Sequence, residues 1–136
     1  MGVFVGDYKC TSAAKAGLKI HDLVRNIINP AVKSAYPTTD FVVKHTTGVD
    51  VSEVLAARTG IRNNNDVVWV SKAANLAAKF CSIRGTQHKT IISEAVYSKL
   101  NAEAKLGGAE KKNMWVPFTW AAHSMRLYGS SWTWAV

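Results

Sequence analysis

Lys72, Asn75 and Lys79 are residues of the types that hold an anion, and their spacing puts them together. They follow the apolar run Asp66-Val67-Val68-Trp69-Val70, with Ser71 between run and helix as a natural N-cap. At about 100° per residue, Ala73, Leu76, Ala77 and Phe80 share a narrow arc that can be buried, while Lys72, Asn75 and Lys79 gather on the far side. Two ammonium groups and an amide on one face suit an anionic ligand. The same pattern also describes an ordinary solvated face, and periodicity does not separate the two.

These residues need elements that position them, and the chain supplies an alternating pattern of strands and helices without a linker. Val3-Phe4-Val5 reads as a short strand ended by Gly6. Thr11-Ser12 offers an N-cap for a helix whose apolar positions Ala13, Ala16, Ile20, Val24, Ile27 and Ile28 recur at three and four, and Asn29-Pro30 ends or kinks it. Phe41 to Val49 predicts a strand, Val54 to Ile61 a second one, and the two pair as a hairpin. The polar run Arg62-Asn63-Asn64-Asn65 is turn-prone, and Asp66 to Val70 is a third strand leading into the amphipathic helix. Lys89 to Ser93 predicts another strand, Glu94 to Leu100 a short helix, and Asn101 to Asn113 a loop. From Met114 the chain is aromatic and β-prone.

Bulk properties bound the classes open to it. A chain of 136 residues, 48% of them hydrophobic, is one domain's worth, 1–136, and buries about two thirds of its unfolded surface. Its apolar segments are strand-sized or broken by Lys and Asn, too short to span a bilayer, so no membrane is expected. No basic residue precedes the apolar start, which does not read as a signal peptide. Cys10 and Cys81 have neither metal-site nor disulfide-framework spacing, which suits the cytoplasm. A formal charge of +8 calls for an anionic partner. Nucleic acid ranks last among such partners: the basic residues are dispersed, and Phe41 stands nearly alone on its hairpin where a nucleic-acid-binding sheet would expose aromatics.

The ordered set Val5-Gly6-Asp7, a long helix, Thr47-Gly48-Val49-Asp50, Ala57-Arg58-Thr59-Gly60-Ile61-Arg62 and Asn65 through Lys79 resembles the catalytic domain of class III nucleotidyl cyclases. The wording of Gly60-Ile61-Arg62, Asn65 to Val70 and Ala73-Ala74-Asn75, with the Trp-rich ending Tyr128 to Trp134, is similar to the bacterial pyrimidine cyclases of Pycsar antiphage defence. The resemblance implies an α+β, ferredoxin-like fold with an antiparallel sheet and helices on one face. It implies a homodimer whose sites draw on both chains. The activity it implies is cyclisation of a nucleoside triphosphate, UTP or CTP first and a purine triphosphate as the alternative, with Mg²⁺ or Mn²⁺.

By the same resemblance Asp7 is the second of two metal-binding aspartates. Hard carboxylate oxygens suit those ions. Asn75 orients the ribose, and Lys79 stands where many relatives carry an arginine that stabilises the developing charge. A lysine there keeps the charge and loses the planar fork. Asp66, Val68 and Trp69 lie near the base-reading position, which stays unassigned among them, and Lys72 is a candidate phosphate contact beside Lys111, Lys112 and Arg126. The family's first metal aspartate has no counterpart ahead of Asp7, so the domain reads as N-terminally shortened. A catalytically silent nucleotide-binding or dimerisation domain is therefore the second reading.

Overall fold

The computed structural model describes residues 1–59 and 66–136, and for Arg58, Thr59 and residues 66–69 the backbone alone. The first helix, α1, spans Lys9–Leu23. A π-helical turn at Val24–Ile28 joins it to α2, Asn29–Ala35, so of the two effects expected of Pro30, ending or kinking the helix, it does not end it. A wider turn ahead of a proline relieves the clash and the missing N–H that Pro imposes on the preceding turn. The expected N-cap is also displaced. Thr11 lies inside α1, and its hydroxyl accepts a hydrogen bond from the Asn101 amide at 3.1 Å instead of capping the helix. The buried stripe runs through Cys10, Ala14, Gly17, Leu18 and His21, leaving Ile20, Ile27 and Ile28 exposed.

β1 is Thr47–Val49, and the expected strand from Phe41 shrinks to these residues. The segment before it is held by Asn29, whose Oδ1 accepts from the Val43 amide at 2.8 Å and whose Nδ2 donates to the Val43 carbonyl at 3.3 Å. An amide side chain thus takes the place of a neighbouring strand. Nor does β1 pair with the next strand. β2, Leu55–Thr59, instead pairs antiparallel with β3, Asp66–Val70, with Leu55 opposite Val70 and Thr59 opposite Asp66. The expected turn Arg62 to Asn65, and Gly60 and Ile61 of the expected strand, lie outside the described residues.

Next come α3, Lys72–Cys81; β4, Thr90–Ser93; α4, Glu94–Ser98; and α5, Ala102–Lys105. The two-residue strands β5, Leu106–Gly107, and β6, Lys112–Asn113, pair within the segment expected as a loop. β7, Val116–Trp120, and β8, Met125–Ser130, flank a 3₁₀ turn and form the β-structure expected of the tail. Val3-Phe4-Val5, expected as a strand, pairs with nothing described, and Val5 and Met1 are largely exposed. Three apolar residues have no β-structure without a partner.

The main sheet has the order β1-β4-β8-β7. β4–β8 and β8–β7 are antiparallel as expected, while β1–β4 is parallel. The α+β class is as read from the sequence. Ile91 and Ile92 point to opposite faces of β4, and both are fully buried. Ile92 and Tyr128 pack with Ala14 and Leu18 of α1, Val96 of α4 and Ala104 of α5, while Ile91 and Leu127 pack against Phe80 of α3. Helices therefore cover both faces instead of one. Sheet residues buried on two sides must be apolar throughout, as Ile91-Ile92 is. Trp115 closes the first core, its indole N–H donating to the Ala104 carbonyl at 2.7 Å.

Two partly buried imidazoles make this packing sensitive to pH. Burial lowers the pKa of His45, and the charges of His21 and Lys89 lower it further; burial lowers that of His88. Below the ordinary value of 6.5 the unfolded chain takes up protons that the folded chain refuses, so stability falls as pH drops from about 6.5. The urea midpoint should be lower at pH 5.5 than at pH 7.5, and His45→Gln should flatten that difference.

Candidate functional site

β3 delivers the chain to α3 through Ser71, whose extended backbone and hydroxyl suit an N-cap. Its Oγ accepts from the Ala74 amide at 3.0 Å. A second serine reaches the same end. Ser52, in the segment after β1, accepts from the Ala73 amide at 3.1 Å. Two of the helix's first amides are thereby committed to hydroxyls, and the start of α3 is pinned to the segment after β1.

The apolar arc behaves as its spacing requires. Ala73 and Phe80 are buried, Leu76 and Ala77 half-buried, while Lys72, Asn75 and Lys79 are exposed. Asn75 and Lys79 stand one turn apart, within reach of one ligand. Neither side chain makes a hydrogen bond or ion pair among the described residues. The structure thus brings Lys72, Asn75 and Lys79 to one solvent-facing surface. Asp66, Val68 and Trp69 occupy β3 in backbone, and their side chains lie outside the described residues.

α3 sits this close to β1 because position 48 is glycine. A Cβ on Gly48 would lie 2.1 Å from the Ala77 carbonyl oxygen and 2.9 Å from the Phe80 Cβ. The Gly48 amide, on the edge of the sheet, donates to Cys81 Sγ at 3.2 Å. Gly48 and Ser52 are positioning residues that sequence reasoning assigned no role. The available signal was a glycine inside a strand pattern, which marks a close backbone approach.

Asp7 is placed differently. It lies in the exposed turn between Gly6, at φ +89°, and the start of α1. A cleft of about 530 Å³ opens between α1, the segment 46–52 and the apolar side of α3, with Cys10, Ala13, Val49, Asp50, Ala74 and Ala77 on its walls. Asp7, Asn75 and Lys79 are not on those walls. Asp50 is engaged there by the Ser93 hydroxyl, which donates to its Oδ1. The described residues, Asp7 among them, contain no group of three or more His, Cys, Asp or Glu able to hold a metal ion. They do not by themselves fit a two-metal centre. Of the other candidate phosphate contacts, Lys112 pairs with Glu110 at 2.6 Å, and Arg126 lies 4.0 Å from Glu94 and over the Tyr128 ring.

Over its whole length the chain is similar to curated bacterial proteins named as cyclases. The proteins it matches are bacterial uridylate cyclases: one from Burkholderia cepacia is 43% identical over 136 residues, covering 100% of this chain and 57% of that protein. Another, from Xanthomonas perforans, is 41% identical over 137 residues, covering 100% of this chain and 58% of that protein. The chain therefore spans a little under three fifths of the length of these curated relatives. No family model matches it. A solved bacterial light-regulated adenylyl cyclase aligns at a TM-score of 0.49 and 14% identity, over 62% of this chain and 23% of the other. Among the described residues, no helix is long and apolar enough to cross a membrane.

Proposed function

We propose that this chain is the larger part of the catalytic domain of a nucleotide cyclase that converts UTP to cyclic UMP and pyrophosphate, acting as a homodimer in bacterial antiphage defence. The observation that carries this is the exposed Asn75–Lys79 pair, one turn apart on α3, in a chain that aligns end to end with proteins named uridylate cyclase. In the reaction the ribose 3′-oxygen forms a bond to the α-phosphorus, the bond to the pyrophosphate oxygen breaks, and the 3′-hydroxyl proton leaves to a base. Asn75, a neutral donor and acceptor, is suited to hold the ribose in line. Lys79 offsets the negative charge that grows on the α-phosphate oxygens.

Asp7 and the Asn75–Lys79 face lie on different elements, an arrangement suited to a site completed by a second copy. Asp7 would then contribute one carboxylate to Mg²⁺ or Mn²⁺, and further ligands would come from outside the described residues. CTP is the next substrate to consider.

The test is incubation of the full-length product of the reading frame with each of the four ribonucleoside triphosphates and Mn²⁺, with cyclic nucleotides read by mass spectrometry. Cyclic UMP as main product is expected, and Asp7→Asn should abolish it. Absence of cyclic product from every triphosphate would overturn the reading. Saturable UTP binding without product would establish the second reading, a silent nucleotide-binding domain, which is favoured by the described residues holding no group of three or more His, Cys, Asp or Glu around Asp7.

A further inference from the structure

The chain between α1 and β1 forms a lobe that stands outside both cores. No residue of α2 is buried, and none from Tyr36 to Lys44. The segment nonetheless has a defined path. Lys33 Nζ donates to the Thr39 carbonyl at 2.9 Å, and Asn29 holds the backbone of Val43 through both ends of its amide. Asn29 follows Ile28 and Val43 follows Val42, so this clamp brings the Ile27-Ile28 pair and the Phe41-Val42 pair onto one lobe. Their side chains have found no core: Ile27 is 54% exposed, Ile28 40%, Tyr36 67%, Phe41 67% and Val42 55%. Large apolar side chains gathered in the open mark an interaction surface.

The lobe is also basic. From Val24 to Lys44 it carries Arg25, Lys33 and Lys44 against Asp40 alone, and none of the three cations is in an ion pair among the described residues. We propose that this lobe seats on an anionic lipid surface, its exposed Ile, Tyr, Phe and Val side chains entering the boundary between headgroups and acyl chains and its three cations lying among the phosphates. The charge decides the occupant. A second copy of the chain docked here would set the same unpaired cations against their own kind, whereas anionic headgroups offset them. Lysine and arginine stems lie along apolar surface while their heads reach outward, so both kinds of contact are available to one lobe.

The contact is with the surface of the bilayer, since no described helix is long and apolar enough to cross one. It also leaves Asp7 clear of the lipid. Asp7 precedes α1 and the lobe follows it, and the 15 residues of that helix separate the two by about 22 Å. The lobe shares no residue with the Asn75–Lys79 face, so the inference is independent of the cyclase reading.

The test is cosedimentation of the full-length product with vesicles of mixed phosphatidylglycerol and phosphatidylcholine, beside vesicles of phosphatidylcholine alone. Saturable binding is expected to the anionic vesicles, falling as salt rises from about 0.05 to 0.5 M. Phe41→Ser with Val42→Ser should lower the partition coefficient by roughly tenfold, and Lys33→Gln with Lys44→Gln by a similar factor. Lys99→Gln with Lys105→Gln, the same loss of charge beside α4 and α5, should change it by less than about twofold. No binding, equal binding to neutral vesicles, binding unmoved by the lobe variants, or a lipid-free dimer dispersed by Phe41→Ser with Val42→Ser would overturn the proposal. Amide exchange on the unmutated protein checks the same contact without any variant: residues 36–44 should gain protection on anionic vesicles, and protection confined to other segments would count against it.

Discussion

Replacing Lys79 with alanine in the full-length product is expected to lower kcat for UTP cyclisation by roughly 10²–10³, the scale lost when one preorganised group facing transition-state charge is removed. Lys79 is exposed in the last turn of α3, so its charge supports the helix dipole by less than about 1 kcal/mol, and the fold should persist. Lys79→Arg keeps the charge and gains a planar fork, so it should retain most of the activity lost in Lys79→Ala. Asn75→Ala should also lower kcat, since a ribose held out of line loses the near-attack geometry. Steady-state kinetics beside a thermal melt separate these effects from unfolding. Unchanged kcat in folded Lys79→Ala would remove α3 from the site.

The second large effect concerns a residue that touches no ligand. Gly48→Ala should destabilise the fold by about 3 kcal/mol, because the added Cβ would meet the Ala77 carbonyl oxygen at 2.1 Å, and backbone atoms cannot swing aside as a side-chain tip can. The helix would have to retreat from β1, breaking the Gly48–Cys81 contact and the Ser52–Ala73 bond that pins its start. For a chain of this size the melting temperature should fall by about 10 °C. Activity should fall with it even in the folded fraction, because the face carrying Asn75 and Lys79 moves with α3. Gly17→Ala offers a milder comparison, since its Cβ would meet the Thr90 side-chain methyl at 2.6 Å. A melt within 2 °C of wild type for Gly48→Ala, about half a kcal/mol, would contradict this account of the packing.

Much of the region from Asp66 to Cys81 was legible because its determinants are local. The strand, the Ser71 cap, the buried arc of Ala73, Leu76, Ala77 and Phe80 and the outward face of Lys72, Asn75 and Lys79 all follow from neighbours within one or two turns. The end-to-end likeness to cyclases was legible too, since it depends on the order of residues and not on their positions in space. The misread elements depend on distant partners. Val3-Phe4-Val5 lacks a described strand beside it, β2 prefers β3 to β1, and Asn29 holds Val43 across the gap between helix and strand.

Local sequence by itself determined which residues of α3 face solvent and therefore which of them can meet a ligand, because a 3.6-residue period leaves an amphipathic helix one way to bury its apolar arc. Tertiary structure alone decided where that face stands. It set α3 across the sheet from α1, fastened its start with Ser52, chose Gly17 and Leu18 over Ile20 for the buried stripe, and brought His21 to His45. Each of these rests on contacts between residues far apart in the chain, whose worth depends on shape and distance that no local pattern records.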